Sequence, residues 1–240
     1  MAVSSSSVIE RAMEMGSAEL AFFQVRFFKT GKGQYGEGDK FLGLVVPQSR
    51  NIAKEYKSIP LIEIIETLKN PYHEVRLIAL FILIYRFERG NENVREKCVG
   101  VYLDHLDFVN NWDLVDTSAY KILGSYLLDH PKKISIIWDL AKSNHLWRER
   151  VAVVSTLAFI RKGLLTETFQ LCEYFLKHPH DLMHKACGWM LREAGKKDKA
   201  ALIDFLESHA VVMPRTVLRY ALEKVSPEEK AYFMKMGKSK

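Results

Sequence analysis

Hydrophobic residues recur at helical spacing along almost the whole chain, and Pro, Gly or His interrupts the pattern at intervals of ten to sixteen residues or so. The segment around residues 73–88 is apolar on nearly every face, which predicts a helix buried between neighbours. The pattern predicts helices over 8–15, 18–28, 51–56, 61–68, 73–88, 93–106, the stretch from 112, 132–142, 147–161, 166–177, 181–194, 200–208, 214–225 and 227–236.

Three stretches near the N-terminus depart from this pattern. Residues 1–7 are small and polar, and we expect them to be disordered. Residues 29–40 are rich in glycine and lysine, which predicts a loop; it lacks the spacing of a phosphate-binding P-loop. Residues 41–46 could pass for a strand, and Pro47 then suits the first turn of a new helix.

Pairs of helices without intervening strands indicate an all-α fold, an α-solenoid of HEAT-like repeats that forms a single domain over residues 1–240. The inner helices align when five polar residues, spaced by about 30 to 40 positions, are set in register. Those residues would form a row along one concave face, and four of the five are basic: Arg76, Asp116, Arg150, Lys185 and Arg215.

Composition is that of a globular protein, with 48% hydrophobic and 27% charged residues. The net charge of +6 suggests a polyanionic partner such as nucleic acid, although a lysine excess also serves solubility. The chain ends in a basic tail over residues 236–240. The three cysteines are far apart and form no metal-binding pattern, and no segment reads as a signal peptide or membrane span. We therefore expect a reduced, cytoplasmic protein without metal or cofactor.

The segment NNWDLVD places Trp112 four residues before Asp116, so on a helix both side chains share one face. Its flanks are apolar, and an acid at the edge of a buried surface requires a partner or a function. The structural interpretation is that Asp116 caps or pairs within the helical array and Trp112 belongs to the core.

Two later segments repeat the combination of indole and base. Trp147 is followed by Arg148 and Arg150, and Trp189 is followed one turn later by Arg192. The small residues before Trp189 would allow a neighbouring helix to approach closely. A basic groove with interleaved aromatic side chains can hold a phosphate backbone and stack on bases or sugars.

These segments resemble the DNA alkylation repair glycosylases of the AlkD-like family. The resemblance rests on WDLVD at 112–116, WRER at 147–150 and ACGWMLRE at 186–193, supported by FLGLVVPQSR at 41–50 and HEVRLIAL at 73–80. It covers residues 15–225 or thereabouts, in the family's order.

The resemblance implies helical repeats around double-stranded DNA and excision of cationic N3- and N7-alkylated purines by hydrolysis of the glycosidic bond. It assigns Asp116 as the catalytic carboxylate, with Trp112 and Trp189 flanking the deoxyribose. No lysine nucleophile is required, so we expect a monofunctional glycosylase without lyase activity. A monomer is the simple expectation for the oligomeric state. The candidates for an N-terminal aromatic contact to DNA are Tyr35 and Phe28. The expected DNA-binding residues are Arg150, Arg148, Arg192, Lys185, Arg50 and Lys32.

Two other functions fit the same residues. A non-catalytic HEAT-like scaffold that binds DNA or protein would need only the basic side chains, and a repeat that binds RNA or a peptide would need no carboxylate at all. The joint presence of Trp112, Asp116, Arg150 and Trp189 favours the enzyme.

Overall fold

The computed structural model describes residues 4–236, and within this range it contains helices and no β-strand. Contacts between Cα atoms divide the chain into two compact units on either side of the Ser118–Ala119 bond. The prediction of an all-α fold of helical repeats is confirmed, and each unit is built from successive helices packed on one long central helix.

Within residues 4–118, the first unit contains seven α-helices. They are α1 (Ser5–Glu14), α2 (Ala18–Phe27), α3 (Val46–Glu55), α4 (Leu61–Leu68), α5 (His73–Arg89), α6 (Glu92–Asp104) and α7 (Trp112–Ser118), with a 3₁₀ turn at Leu106–Phe108. Helix α5 is buried on nearly every face, as its all-round apolar sequence predicts, and α3, α4, α6 and α7 pack against it.

The second unit contains the remaining helices. They are α8 (Ser125–Asp129), α9 (Ser135–Ala141), α10 (Leu146–Ser155), α11 (Leu157–Arg161), α12 (Thr166–Tyr174), α13 (Asp181–Lys197), α14 (Lys199–His209), α15 (Arg215–Ala221) and α16 (Pro227–Met236). A π-helical segment, Tyr120–Gly124, precedes α8, and 3₁₀ turns lie at Pro131–Lys133, Phe175–Lys177 and Leu222–Lys224. Helix α13 is the centre of this unit, with α10, α12, α14 and α15 packed around it.

Residues 5–7, part of the stretch 1–7 predicted to be disordered, belong to helix α1. Helix α1 begins at Ser5, whose backbone N–H donates to a carboxylate oxygen of Glu63 at 2.7 Å, and Val8 is fully buried. This distant acid supplies a partner for the open N-terminus of α1 that the local sequence does not reveal. Residues 1–3 and 237–240, and with them most of the predicted basic tail, lie outside the described residues.

Residues 41–45 form no strand, and Pro47 lies in the first turn of α3 as predicted. The carboxylate of Glu74, at the start of α5, accepts the backbone N–H groups of Leu42, Gly43 and Leu44 at 2.8–3.2 Å. Gly43 has φ +81°, and a Cβ there would lie 1.9 Å from the carbonyl oxygen of Ser17, so only glycine fits. A buried side chain therefore takes the place of a strand partner.

The helix predicted over 147–161 is divided into α10 and α11 at Thr156. The buried hydroxyls of Ser155 and Thr156 donate to the carbonyls of Val151 and Val153 at 2.7 Å. Such bonds from a side chain back to the preceding turn compete with the helix ladder and bend it. Cys98, Cys172 and Cys187 are free and buried.

Candidate functional site

The predicted pairing of Trp112 and Asp116 is realised on the short helix α7 in the first unit. Both side chains are partly exposed, whereas Leu114, Val115 and Ser118 on the same helix are buried. The periodicity of α7 therefore turns one face into the core and leaves the indole and the carboxylate on its accessible face.

Two phenylalanines from the end of α2 lie against the indole of Trp112. Phe28 stacks on it with ring centroids 5.6 Å apart, and Phe27 meets it edge-on at 6.1 Å. Phe28 is itself buried, whereas Phe27 is 52% exposed. The N-terminal aromatic residues thus hold Trp112 in place on one side and extend its apolar surface on the other.

Trp112 and Asp116 both line a cleft of about 630 Å³ within the first unit. Helix α2, the segment leading into α3, and α7 form its walls. Its lining residues are Leu20, Phe23, Gln24, Phe27, Phe28, Leu44, Val45, Val46, Pro47, Trp112, Asp113, Asp116 and Thr117. Asp116 is therefore a carboxylate on the wall of a mostly apolar cleft, as its flanking sequence suggests.

Sequence reasoning missed two aromatic members of this cleft. Phe23 is 62% exposed and stacks on Phe27, with centroids 6.1 Å apart, and both rings line the cleft. Of the two residues expected to supply an aromatic contact to DNA, Phe28 is buried beneath Trp112, and Tyr35 belongs to the 29–40 loop and is not among the residues that line the cleft. The helical spacing of the run Phe22–Phe23–Phe27–Phe28 was the signal available for Phe23 and Phe27.

A buried polar network lies behind the cleft and was also missed. The Nε2 atom of His73 lies 2.8 Å from Asp113 Oδ2, and its Nδ1 atom lies 3.1 Å from Asp39 Oδ2. Arg76 donates to Asp39 at 2.5 Å and to Asn110 at 3.2 Å. The network joins α5, the 29–40 loop and the first turn of α7.

The charges in this network shift two pKa values. Burial lowers the pKa of His73, but the charge and hydrogen bond of Asp113 and the bond to Asp39 outweigh it and raise that pKa to about 9. Burial acts against ionisation of Asp39, but the hydrogen bond from His73 and the charge of Arg76 hold the pKa of Asp39 below its usual value. Both groups are therefore charged at neutral pH.

The hydroxyl of Tyr102 is a further polar group near Asp116. It lies 2.9 Å from Ser118 Oγ, and Ser118 in turn donates to the Leu114 carbonyl at 2.7 Å. Burial raises the pKa of Tyr102, and the negative charge of Asp116 raises it further. The phenol therefore stays neutral. Its hydroxyl reaches from α6 to hydrogen-bond the Ser118 side chain on α7.

In the second unit, α10 carries Trp147, Arg148 and Arg150. Trp147 is 7% exposed and Arg150 is 4% exposed, and the Arg150 guanidinium donates to the Leu182 carbonyl. Arg148 is partly exposed. The structure thus anchors Arg150 beside the start of α13, and its contact with DNA stays a prediction.

Helix α13 carries Lys185, Trp189 and Arg192, all partly exposed. The predicted close approach before Trp189 is confirmed: a Cβ on Gly188 would lie 2.5 Å from the Cβ of Tyr220 on α15. Lys185 pairs with Asp181 at 2.9 Å, and Arg192 pairs with Glu223 and with Glu193.

The remaining predicted DNA-binding residues, Lys32 and Arg50, are exposed in the first unit, and Arg50 also lies over the Phe81 ring at 4.7 Å. Two members of the expected basic row are engaged elsewhere. Arg76 is buried in the His73 network, and Arg215 donates to the Met234 carbonyl at 2.8 Å. Arg76 is buried because the buried carboxylate of Asp39 requires a cation beside it.

Among residues 4–236, no three His, Cys, Asp or Glu side chains converge in a way that could hold a metal ion. In the same range, each helix is too short or too polar to cross a lipid bilayer.

A solved structure described as a predicted DNA alkylation repair enzyme from Enterococcus faecalis is similar to this chain. The TM-score is 0.69 with 17% sequence identity, over 88% of this chain and 97% of that one, which shows a common fold. A comparison with curated protein sequences found no match.

The family model described as DNA alkylation repair enzyme matches residues 10–225. This span includes the cleft of the first unit and the α10 and α13 segments of the second, which is where the motifs WDLVD, WRER and ACGWMLRE lie. The chain belongs to the DNA alkylation repair enzyme family.

Proposed function

We propose that this protein is a DNA glycosylase that excises positively charged N3- and N7-alkylated purines by hydrolysis of the N-glycosidic bond. Membership of the DNA alkylation repair enzyme family supports the repair role. One observation carries the proposal: Asp116 stands on the wall of an apolar, aromatic cleft, one helical turn from the indole of Trp112.

The chemistry of the substrate explains why a single carboxylate suffices. An alkylated purine already carries positive charge and leaves readily, so it needs little help from a general acid. Its departure develops an oxocarbenium-like sugar, which Asp116 would stabilise while it positions or deprotonates the attacking water. The indole face of Trp112 would add roughly 0.5–2 kcal/mol of cation–π attraction to this sugar.

The reaction would be hydrolysis without strand cleavage by the same enzyme. Lyase activity requires an amine that attacks the sugar carbon, and the described residues that line the cleft include no lysine. The proposal therefore predicts an intact abasic site as the product.

Double-stranded DNA would bind through Lys32, Arg50, Arg148, Arg150, Lys185 and Arg192. These contacts would be made to phosphates, so they would depend little on sequence and would weaken steeply with salt. The observation in their support is exposure at Lys32 and Arg50 and partial exposure at Arg148, Lys185 and Arg192.

The decisive experiment compares base release from methylated duplex DNA by the wild type and by Asp116→Asn. We expect the wild type to release 7-methylguanine or 3-methyladenine, and the variant to lose about 10²–10⁴-fold in rate while its affinity for undamaged duplex is kept. Asp104→Asn is a matched control, because this exposed acid ends α6 and lies outside the cleft lining. A wild type that binds the duplex and releases no base would instead support a non-catalytic scaffold.

A further inference from the structure

We propose that His73 is a positioning residue for base excision: by bonding Asp113 it fixes the first turn of α7, and with it Trp112 and Asp116, against α5. The inference rests on the proposed glycosylase function and adds a residue that makes no contact with the substrate. It also gives the two acids of WDLVD different roles: Asp113 orients the helix, and Asp116 acts on the sugar.

The hydrogen-bond geometry requires His73 to carry two ring protons. Each ring nitrogen faces a carboxylate oxygen, Nε2 facing Asp113 at 2.8 Å and Nδ1 facing Asp39 at 3.1 Å. Ionised carboxylates only accept hydrogen bonds, and a neutral imidazole has a single N–H to donate. Both bonds exist together only in the imidazolium form, and the raised pKa of His73 agrees with this.

The charged groups around His73 balance one another. Asp39 faces it from the 29–40 loop, Asp113 from α7, and Arg76 is its neighbour on α5. Arg76 pairs with Asp39 at 2.5 Å, so two cations meet two anions in a place where the His73 side chain is only 2% exposed. Loss of the His73 proton would leave a buried net negative charge, which is costly unless the acids separate or take up protons.

The same network fixes the position of the proposed catalytic groups. Asp113 follows Trp112 directly and precedes Asp116 by less than one turn on a helix of seven residues. Phe28 packs against both His73 and Trp112, because its ring centroid lies 4.7 Å from that of His73 and 5.6 Å from that of Trp112. A displacement of about 1 Å at a catalytic group can reduce a rate by roughly 10²-fold, so the anchoring of α7 bears directly on turnover.

The test measures single-turnover base release from methylated duplex between pH 6 and pH 10 for the wild type and for His73→Gln. We expect the wild-type rate to fall above pH 9 or so, as His73 loses its second ring proton. In His73→Gln the maximal rate should be about 10–100-fold lower, this alkaline fall should be absent, and affinity for undamaged duplex should stay within about twofold. A ring-nitrogen NMR titration of the wild type should place the loss of the His73 proton at the pH where the rate falls.

Asp113→Asn breaks the same ion pair from its other end, because it removes the negative charge that faces His73. It should lose as much rate as His73→Gln, and the double variant should lose no more than the worse single one, because both changes remove one interaction. His209→Gln is the matched control, since it breaks a histidine–carboxylate pair with Glu173 in the second unit and should leave the rate unchanged.

The outcomes separate this proposal from the proposed function. An unchanged rate in His73→Gln, an alkaline fall that persists in it, or additive losses in the double variant would overturn the role of His73 while Asp116→Asn still abolished activity. If His73→Gln does not fold, two measurements still test the role of His73. They are the rate of Asp113→Asn and the agreement between the wild-type NMR titration and the pH dependence of its rate. A wild type that releases no base overturns both proposals.

Discussion

Each unit fixes a helix that carries predicted site residues with a histidine–carboxylate pair, but the second ring nitrogen has a different partner in the two histidines. In the first unit, both ring nitrogens of His73 face carboxylates. In the second, His178 Nε2 lies 3.0 Å from Glu149 on α10, while its Nδ1 accepts the backbone N–H of His180 at 3.1 Å. A neutral imidazole satisfies both bonds of His178, whereas only an imidazolium satisfies those of His73.

The difference shows that the partner of the second ring nitrogen decides which form of a buried imidazole satisfies both of its hydrogen bonds. The first unit thereby anchors Trp112 and Asp116 through balanced buried charges that respond to pH. The second unit anchors Arg150 through a hydrogen bond to the Leu182 carbonyl and packs α13 closely on α15 at Gly188. Perturbations of charge should therefore affect the first unit most, and perturbations of shape the second.

The largest expected effect is that of Glu74→Ala in the first unit. Its carboxylate is 2% exposed and accepts three backbone N–H groups, which the substitution would leave without partners. We expect the free energy of unfolding to fall by about 3–5 kcal/mol, measured by urea denaturation. Glu66→Ala, which breaks only an exposed pair with Lys69, should change it by less than about 1 kcal/mol. Equal losses in the two variants would contradict the buried role of Glu74.

The next effect is a pH dependence specific to the first unit. The pKa of His73 is raised from 6.5 to about 9. Its charged form therefore adds fully to the free energy of unfolding below pH 6.5, and this contribution is lost as the pH rises through 9. The loss should reach about 3 kcal/mol, seen by urea denaturation at pH 6 and at pH 9.5. His73→Gln should flatten this dependence and His178→Gln should preserve it. If His178→Gln flattened it instead, the contrast between the two histidines would be wrong.

The smallest effect concerns the shape of the second unit. Gly188→Ala places a Cβ 2.5 Å from the Cβ of Tyr220 and 2.7 Å from the Val217 carbonyl oxygen. It should lower the free energy of unfolding by about 1–3 kcal/mol. Gly100→Ala on α6 meets no atom within 4 Å and should raise it by up to about 1 kcal/mol, because alanine favours the helix. Thermal unfolding of the two variants checks both signs.

The local parts of this architecture could be predicted from sequence. Periodicity and helix-breaking residues locate α4 and α16 at their observed bounds, and the four-residue spacing brings Trp112 and Asp116 onto one accessible face. These features depend on neighbours within one or two turns, where the geometry of the helix fixes which side chains meet.

The non-local parts could not be predicted in the same way. Asp39 lies in a loop 34 residues before His73, and no spacing rule connects the two. Arg76 aligned with the basic residues of later repeats, yet its side chain is drawn into the core by Asp39. The partner of a charged side chain depends on which elements pack together, so a sequence register shows where the residue lies along the chain and leaves its contacts open.

The buried cysteines give this protein an internal means of observing each unit separately. Cys98 belongs to the first unit, and Cys172 and Cys187 belong to the second. Burial raises the pKa of Cys98 to about 11, so a thiol reagent finds little thiolate until α6 opens. With Cys172 and Cys187 replaced by alanine, the labelling rate of Cys98 would follow the opening of the first unit alone. The converse variant would follow the second, so local opening in each half of the chain can be timed without any introduced probe.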